Sequence, residues 1–480
     1  MTEHDTDIGL VVLTNREPYV HDAADDVTKP VGGLTAAMDD VMREVGGTWV
    51  AHGHGPADFD VTDPDGYVAV PPGAERYLLK RLDIPETAYD GYYYGYSNQV
   101  LWPLCHEHVD RIRASPDDWN AYRRVNEQFA TAALDALDRQ DDDTTLLWVH
   151  DYHLALVPEL VRRRADGDVT IQHFWHIPWP PAQLFDRSPH ADALLSGLLG
   201  NDRIGFHTRG YAREFLDTVE RTLPAADVDT ESLHVAYDGR TVDVYVAPVG
   251  IDTQTVGELA DSAAATQFWN DLCEREGIGS DEHIAVSVDR LDYTKGILQR
   301  LDAIEHLLER DDSLHGSFRL LQKGSPTREQ IPEYERYQRD VAEKIRRLNA
   351  RFGTDEWRPV VYLDGRYTRT EIVSLYRNAD VGIVSPLADG YNLVAQEYIA
   401  ANEGGDGALV LSKFAGVHTL VGDDAFTINP HDTAGFAAQI EAALNAPKRE
   451  RAERFRRMYH NVASADIGAW MEHSLAWWTR

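Results

Sequence analysis

The sequence predicts an α/β protein made of two doubly wound, Rossmann-like domains that face each other across a cleft. Three observations predict it. Short apolar runs alternate with helical patterns along most of the 480 residues, the pattern of parallel strands covered by helices on both faces. Several of those runs stop at a loop with glycine or proline and restart as a helix. Such a junction points backbone N–H groups and the positive end of a helix dipole at oxygen-rich ligands. Finally, Pro248 and Gly250 in VYVAPVGID (Val244 to Asp252) mark a hinge between two lengths of chain, each long enough for its own core.

Taken in order, the chain opens with a strand at Ile8 to Leu13 and a polar loop from Thr14 to Val31. Gly32-Gly33 follow, then an amphipathic helix from about Leu34 to Val45. The tyrosine-rich YDGYYYGYSNQVLWP (Tyr89 to Pro103) reads mainly as core packing at Tyr92, Tyr94 and Tyr96, with room for one or two rings lining a sugar site. A helix from about Trp119 to Leu137 leads to a strand at Leu146 to Val149 that ends in HDYH (His150 to His153). A helix near Leu156 to Arg164 precedes a strand at Thr170 to Trp175, which ends in HIPWPP, and another helix leads to Ile204-Gly205-Phe206. These residues, 1–248, form the expected acceptor-binding domain. Residues 249–455 form a nucleotide-sugar domain with strands at Ile284 to Val288, Phe318 to Leu321, Val360 to Leu363, Val381 to Val384, Leu409 to Leu411 and Phe426 to Ile428. Residues 456–480, with a helix at Ile467 to Trp478, are expected to pack back on the first domain.

The second domain is organised around Asp380 to Ala400, DVGIVSPLADGYNLVAQEYIA. It reads as a buried strand, a loop with Pro386 and Gly390, and a helix from about Tyr391, with Asp389 in the loop and Glu397 about two turns along. In a doubly wound sheet such loops line the crevice at the carboxyl ends of the strands, and a nucleotide-sugar is the expected occupant.

The net charge is −34 with 43% hydrophobic residues, and only seven of the 46 basic residues are lysines. A dispersed acidic coat excludes nucleic acid as a partner, since phosphate backbones need a basic face. It points instead to a salt-rich cytoplasm, where screening shortens to about 3 Å at 1 M salt. No apolar run is long enough to cross a membrane, and the acidic N-terminus lacks an apolar leader pattern, so a cytoplasmic protein is expected. Cys105 and Cys273 lie outside any CxxC spacing, which argues against a disulfide framework or a structural zinc.

Scarce cations in an acidic chain are informative. VDRLDYTKG (Val288 to Gly296) follows a strand and opens a helix, so Arg290 as a planar fork and Lys295 as a point charge suit a pyrophosphate and its developing charge as it departs. Arg16, in TNREP after the first strand, suits an acceptor phosphate. His150, Asp151 and His153 are metal-ligand types, but they lack the i, i+4 spacing of helical zinc pairs. Asp151 is read as an acceptor for sugar hydroxyls, and His176 as a donor or acceptor held by Pro178, Pro180 and Pro181. No metal and no cofactor is expected.

The ordered set TNR, VGGL, YSNQVLWP, HDYH, HIPWP, RLDYTKG, SPTR, DGYNLVAQEY and LSKFAG resembles the trehalose-6-phosphate synthases over nearly the whole chain. These are retaining glycosyltransferases of the GT-B type that move glucose from UDP-glucose to glucose-6-phosphate. The resemblance implies that Arg16, Tyr93 and Arg328 hold the acceptor phosphate, with Trp102 beside it and Asp151 on the acceptor sugar. It implies that Gly33, Arg290 and Lys295 hold the donor diphosphate, while His176 and Asp389 grip the donor glucose. Backbone amides of Gly390, Tyr391, Asn392, Leu393 and Val394 would support the donor, and Glu397 its ribose. Asp151, His176, Arg290, Lys295 and Asp389 are thus the expected catalytic set. Transfer without a covalent enzyme intermediate would agree with the lack of a closely spaced carboxylate pair of the glycosidase kind. The chain departs from the family pattern at His52, where a second tryptophan often follows Trp49, at Gln396, where lysine is common, and in the spacing of SPTR. Rival readings are a glycerol-3-phosphate acceptor, which the same phosphate clamp would serve, and a catalytically silent sugar-phosphate sensor. A homo-oligomer is compatible with the sequence.

Overall fold

The computed structural model describes residues 9–23, 26–29, 33–140, 145–165 and 169–477. Ile8, Gly32 and Trp478, assigned from sequence to a strand, a helix start and a helix end, lie outside them. The chain divides into two compact units, Met1–Ala247 with Met471–Arg480, and Pro248–Trp470.

Unit 1 is built on a mostly parallel sheet of ten strands among the described residues. They are β1 (Gly9–Arg16), β4 (Thr48–His52), β5 (Tyr67–Val70), β6 (Tyr77–Leu82), β7 (Thr145–His150), β8 (Thr170–Trp175), β9 (Arg203–Phe206), β10 (Asp227–Asp229), β11 (His234–Tyr237) and β12 (Arg240–Val246). The order is β10-β11-β12-β9-β8-β7-β1-β4-β6-β5. β1 lies parallel to both β7 and β4, so the chain builds outward one way through β4 and β6, then returns to β1 and builds the other way from β7. The central strands read as unbroken apolar runs because both faces are covered: Leu10 to Leu13 and Leu146 to Val149 have at most 1% exposure. A hairpin of β2 (Val20–Ala23) and β3 (Asp26–Thr28) lies within the stretch expected to be loop. Its sequence, VHDA and DVT, is too short and polar to announce a strand.

The tyrosine-rich stretch is the largest departure. Asp90–Leu101 is a π-helical segment that runs directly into the helical turn Trp102–Cys105. Tyr92 and Tyr96 are fully buried as expected, whereas Tyr94 is partly exposed and Tyr93 is buried. The segment packs on the helix Pro116–Asp138, and a Cβ at Gly95 would stand 2.5 Å from the Asp118 carboxyl carbon. Tyrosines and glycines at these offsets carry neither a 3.6-residue nor a 2-residue period, so the pattern does not reveal a helix. The helix Ile467–Leu475 carries the chain from unit 2 into unit 1. There the His473 ring lies 6.2 Å from that of Tyr245, and the Arg203 guanidinium sits between Tyr245 and Trp477.

Unit 2 holds a six-stranded sheet of β13 (His283–Arg290), β14 (Phe318–Ser325), β15 (Val360–Leu363), β16 (Val381–Val384), β17 (Ala408–Ser412) and β18 (Phe426–Ile428). All pairings are parallel, in the order β15-β14-β13-β16-β17-β18. This is the Rossmann order, with the first and fourth strands of the unit side by side at the centre. Every strand expected from sequence in this unit is present, three of them with the same ends.

Candidate active site

In a doubly wound sheet, ligands bind at the carboxyl ends of the strands where the order reverses, because there the following loops diverge to opposite faces and leave a crevice. In unit 2 that point lies between β13 and β16, and in unit 1 between β1 and β7. The sequence-derived residues fall at both places.

At the unit 2 switch point β13 ends in Arg290 and continues through a short 3₁₀ turn, Tyr293–Lys295, into the helix Ile297–Arg310. Gly296 joins turn and helix with φ 63°, and a Cβ there would stand 2.1 Å from the Ser385 carbonyl oxygen. Only glycine lets this loop meet the loop that follows β16. Lys295 Nζ donates to Asp389 Oδ2 at 2.5 Å, and Asn392 Nδ2 donates to the same oxygen at 3.0 Å. Asn392 is also the N-cap of the helix Leu393–Ala401, its side-chain oxygen accepting from the Ala395 N–H. Leu393 and Val394 therefore head the helix, where N–H groups have no intrahelical partner. Because the helix starts at Leu393, Glu397 stands only a little over one turn along. Its carboxylate accepts from the Tyr376 hydroxyl at 3.3 Å, and burial pushes its pKa up.

Beneath this surface lies a buried layer that sequence reasoning missed. Arg300, fully buried, donates to Asp289 Oδ2 at 2.9 Å, to Gln322 Oε1 at 2.7 Å and to Ser385 Oγ at 2.8 Å. One guanidinium thereby ties β13, β14 and the loop after β16 together. The available signal was an arginine in line with Ile297, Leu301 and Ile304 on the apolar face of its helix. Arg328 is placed at the end of β14, with φ 50° and Nη1 donating to Asp292 at 3.1 Å and to the Tyr334 hydroxyl at 2.6 Å. It belongs to unit 2 and packs against the loop that carries Lys295, whereas Arg16, Tyr93 and Trp102 belong to unit 1. Gln396 is buried and donates to the Val249 carbonyl at 3.0 Å, so it fastens the start of unit 2 and presents no charge.

At the unit 1 switch point β1 delivers exposed Arg16, whose Nη2 donates to the Tyr93 hydroxyl at 3.1 Å. Tyr93 stacks on His153 at 5.6 Å and on Tyr89 at 5.1 Å. Trp102 lies buried 4.1 Å from the His106 ring. Gly33 is the first residue of the helix Gly33–Val45.

Asp151, directly after β7, has φ 71° and ψ 171°, a region that is essentially glycine's alone and costs other residues about 1–3 kcal/mol. The neighbours enforce it. Its N–H donates to the Phe174 carbonyl at 2.8 Å, its carbonyl accepts from His173 Nε2 at 3.1 Å, and its Oδ1 accepts from the His176 N–H at 3.4 Å. Burial holds His173 neutral, its pKa pushed down to about 3, and likewise lowers those of His150 and His176. His150 Nδ1 and His176 Nε2 are 3.0 Å apart, so one carries the proton that the other accepts. His207, not singled out from sequence, adds a ring 5.3 Å from His176.

Among the described residues, one set of metal-ligand types comes together, at Glu17, His54 and Asp58, with ligand atoms within 4.8 Å of one another. The buried guanidinium of Arg81 already contacts both carboxylates, at 2.7 Å and 3.0 Å.

A Rossmann-order sheet with cations, a carboxylate and a helix start gathered at its reversal is the architecture of a nucleotide-handling enzyme. Residues 10–478 match the model of glycosyltransferase family 20, and the chain belongs to that family. It is 31% identical over 470 residues to the alpha,alpha-trehalose-phosphate synthase (UDP-forming) of Candida albicans, covering 96% of this chain and 95% of that one. Among solved structures it is similar to an alpha,alpha-trehalose-phosphate synthase (UDP-forming) from Burkholderia xenovorans in complex with glucose-6-phosphate. That match has a TM-score of 0.87 at 30% identity, covering 98% of this chain and 99% of the other. It is also similar to the trehalose-6-phosphate enzyme of E. coli bound with UDP-2-fluoro glucose, with a TM-score of 0.85 at 29% identity over 97% and 98% of the two chains. The fold is the GT-B fold of these enzymes.

Proposed function

We propose that the protein transfers glucose from UDP-glucose to glucose-6-phosphate, giving α,α-trehalose-6-phosphate and UDP with retention at the donor's anomeric carbon. The observation that carries this reading is that positive or N–H- and O–H-bearing groups lie at the switch point of each unit: Arg290, Lys295 and the helix start at Leu393 in unit 2, Arg16 and Tyr93 in unit 1. Two separate phosphate-handling places suit a donor diphosphate and a phosphorylated acceptor.

In the proposed reaction the acceptor's anomeric hydroxyl oxygen bonds to C1 of the donor glucose while the bond from C1 to the UDP oxygen breaks. The hydroxyl proton passes to the departing phosphate oxygen. Lys295 and Arg290 stabilise the negative charge that grows on the diphosphate, which acts directly on the barrier. Asp389 holds Lys295 in place and accepts from donor hydroxyls, Glu397 accepts from the ribose, and Asp151 accepts from the acceptor sugar. Neutral His176 supplies a hydrogen bond without adding charge. Arg328 is a further holder of the acceptor's phosphate, and its contact with Asp292 also ties the loop that bears Lys295. We read the acidic coat as suited to a salt-rich cytoplasm and the product as a route to an osmolyte.

The test is incubation of the purified protein with UDP-glucose and either glucose-6-phosphate or glycerol-3-phosphate at low and high salt, measuring UDP release and identifying the product. Trehalose-6-phosphate supports the reading. A glucosylglycerol phosphate would reassign the acceptor, and no turnover in any salt would mean a sensor.

A further inference from the structure

The buried cluster around Glu17 has a charge imbalance that opens onto the acceptor side of unit 1. Glu17 and Asp58 have no side-chain exposure, and neither has Arg81, whose guanidinium contacts both. Two carboxylates face one cation. His21 does not make up the difference: its Nδ1 lies 2.7 Å from Arg81 Nη2 and so accepts from it as a neutral ring, and burial lowers its pKa.

The remaining neighbour is His54. Its Nδ1 is 3.1 Å from Glu17 Oε1, and 51% of its side chain is exposed. Its backbone N–H donates to the same Glu17 oxygen at 3.2 Å and to Asp58 Oδ2 at 2.9 Å. Burial and the neighbouring Asp58 carboxylate push the Glu17 pKa up, while His54 and Arg81 pull it down. Arg81 Nε and the His54 N–H both donate to that carboxylate, contacts that favour its ionised form. The half-exposed imidazole is the better place for the extra charge, and its hydrogen bond to Glu17 raises its pKa.

This imidazole lies two residues past the end of β4, the strand paired with the one that ends at Arg16. Arg16 at the end of β1 is the register partner of His52 at the end of β4. The His52 ring is 6.3 Å from that of His54 and 4.5 Å from Tyr89, which stacks on Tyr93, the partner of Arg16. The positive field of Arg16 reaches His54 and opposes its protonation. Two positive groups on neighbouring strand ends repel, and an anion bound by both relieves that repulsion.

We propose that His54 is a second cation for the acceptor's phosphate, beside Arg16, set in place by the buried Glu17, Asp58 and Arg81. This rests on the reading of glucose-6-phosphate as acceptor and deepens it. The groups facing His54 are Glu17 and Arg16 from the end of β1, His52 from β4, Asp58 from the following turn and, behind them, Arg81 from β6 and His21 from β2. Binding of the phosphorylated acceptor therefore weakens as pH rises through the His54 pKa, beyond what the phosphate's own ionisation produces.

The test compares the full-length protein with His54→Gln and His54→Arg at about pH 6 and about pH 8.5. Expected is a rise of roughly tenfold in KM for glucose-6-phosphate in His54→Gln at the lower pH, falling on KM rather than kcat. KM for UDP-glucose stays put, and His54→Arg restores affinity with little difference between the two pH values. In parallel, the His54 ring is titrated by NMR with and without inorganic phosphate, which is expected to raise its pKa. Turnover with wild-type KM and wild-type pH profile in His54→Gln overturns the proposal while leaving the acceptor reading intact. Absence of any turnover with glucose-6-phosphate removes the acceptor reading, and the proposal then falls if phosphate leaves the His54 titration unmoved.

Discussion

Asp151 offers a prediction in which stability separates two variants that activity does not. Its φ of 71° and ψ of 171° are comfortable only for glycine, at a cost to other residues of about 1–3 kcal/mol. Replacing it by alanine removes the carboxylate but keeps the Cβ and the strain. Replacing it by glycine removes both. Elsewhere Ala→Gly costs about 0.5–1 kcal/mol through the entropy of the unfolded chain. Here that loss is set against the strain relieved, so Asp151→Gly is expected to exceed Asp151→Ala in stability by about 0.5–2 kcal/mol, the reverse of the usual sign. Both variants lose the carboxylate contacts to the His176 N–H and to His153, so those terms cancel in the comparison. Urea unfolding followed by tryptophan fluorescence reads the difference as a shift in midpoint at constant slope. In activity the two are expected to fall together, by roughly 10- to 100-fold in kcat/KM, the scale of a hydrogen bond to a charged group. An alanine variant as stable as the glycine variant would refute the strain argument. Full activity in either would refute the role given to the carboxylate.

Further outcomes follow from the same geometry. Lys295→Ala is expected to cut turnover by roughly 100-fold or more, since it removes fixed charge at the leaving diphosphate; a near-normal rate would mean the diphosphate lies elsewhere. Glu397 has its pKa raised by burial, so its ionised form costs stability once pH exceeds the folded-state pKa, and that cost disappears below the unfolded value. Glu397→Gln should therefore raise the thermal midpoint of the ligand-free protein near neutrality, with the gain shrinking as pH falls toward about 4.3, while UDP binding measured by calorimetry weakens. With a net charge of −34, the midpoint should rise steadily as KCl is raised toward about 1 M, where the Debye length is about 3 Å; a flat response would remove the salt-adaptation reading.

The strands of unit 2 were legible because parallel strands buried on both faces are continuous apolar runs, and helices between them carry the opposite pattern. The loops were legible for a related reason: Arg290 and Lys295 stand out in a chain with little lysine, and Asp389 and Gly390 interrupt an apolar run. What stayed hidden depends on distance in three dimensions. Arg300 is one more arginine on a helix until its partners Asp289, Gln322 and Ser385 converge from β13, β14 and the loop after β16. Glu17 sits beside Arg16 in TNREP, yet its meaning needs Arg81 from β6 and His54 from beyond β4. The π-helical run at Asp90–Leu101 escaped because its period matches neither regular pattern. Arg328 and Glu397 carry a different lesson. Family resemblance assigns their ligands, but the structure adds what each already holds, an ion pair to Asp292 and a hydroxyl from Tyr376.

Both anions are proposed to bind where the strand order reverses. A crystal structure of the protein with UDP and glucose-6-phosphate measures this directly. The diphosphate is expected on Arg290 and Lys295 at the ends of β13 and β16, and the sugar phosphate on Arg16 and Tyr93 at the end of β1. Either phosphate group found away from these strand ends, with Lys295 or Arg16 making no contact to it, would contradict that placement.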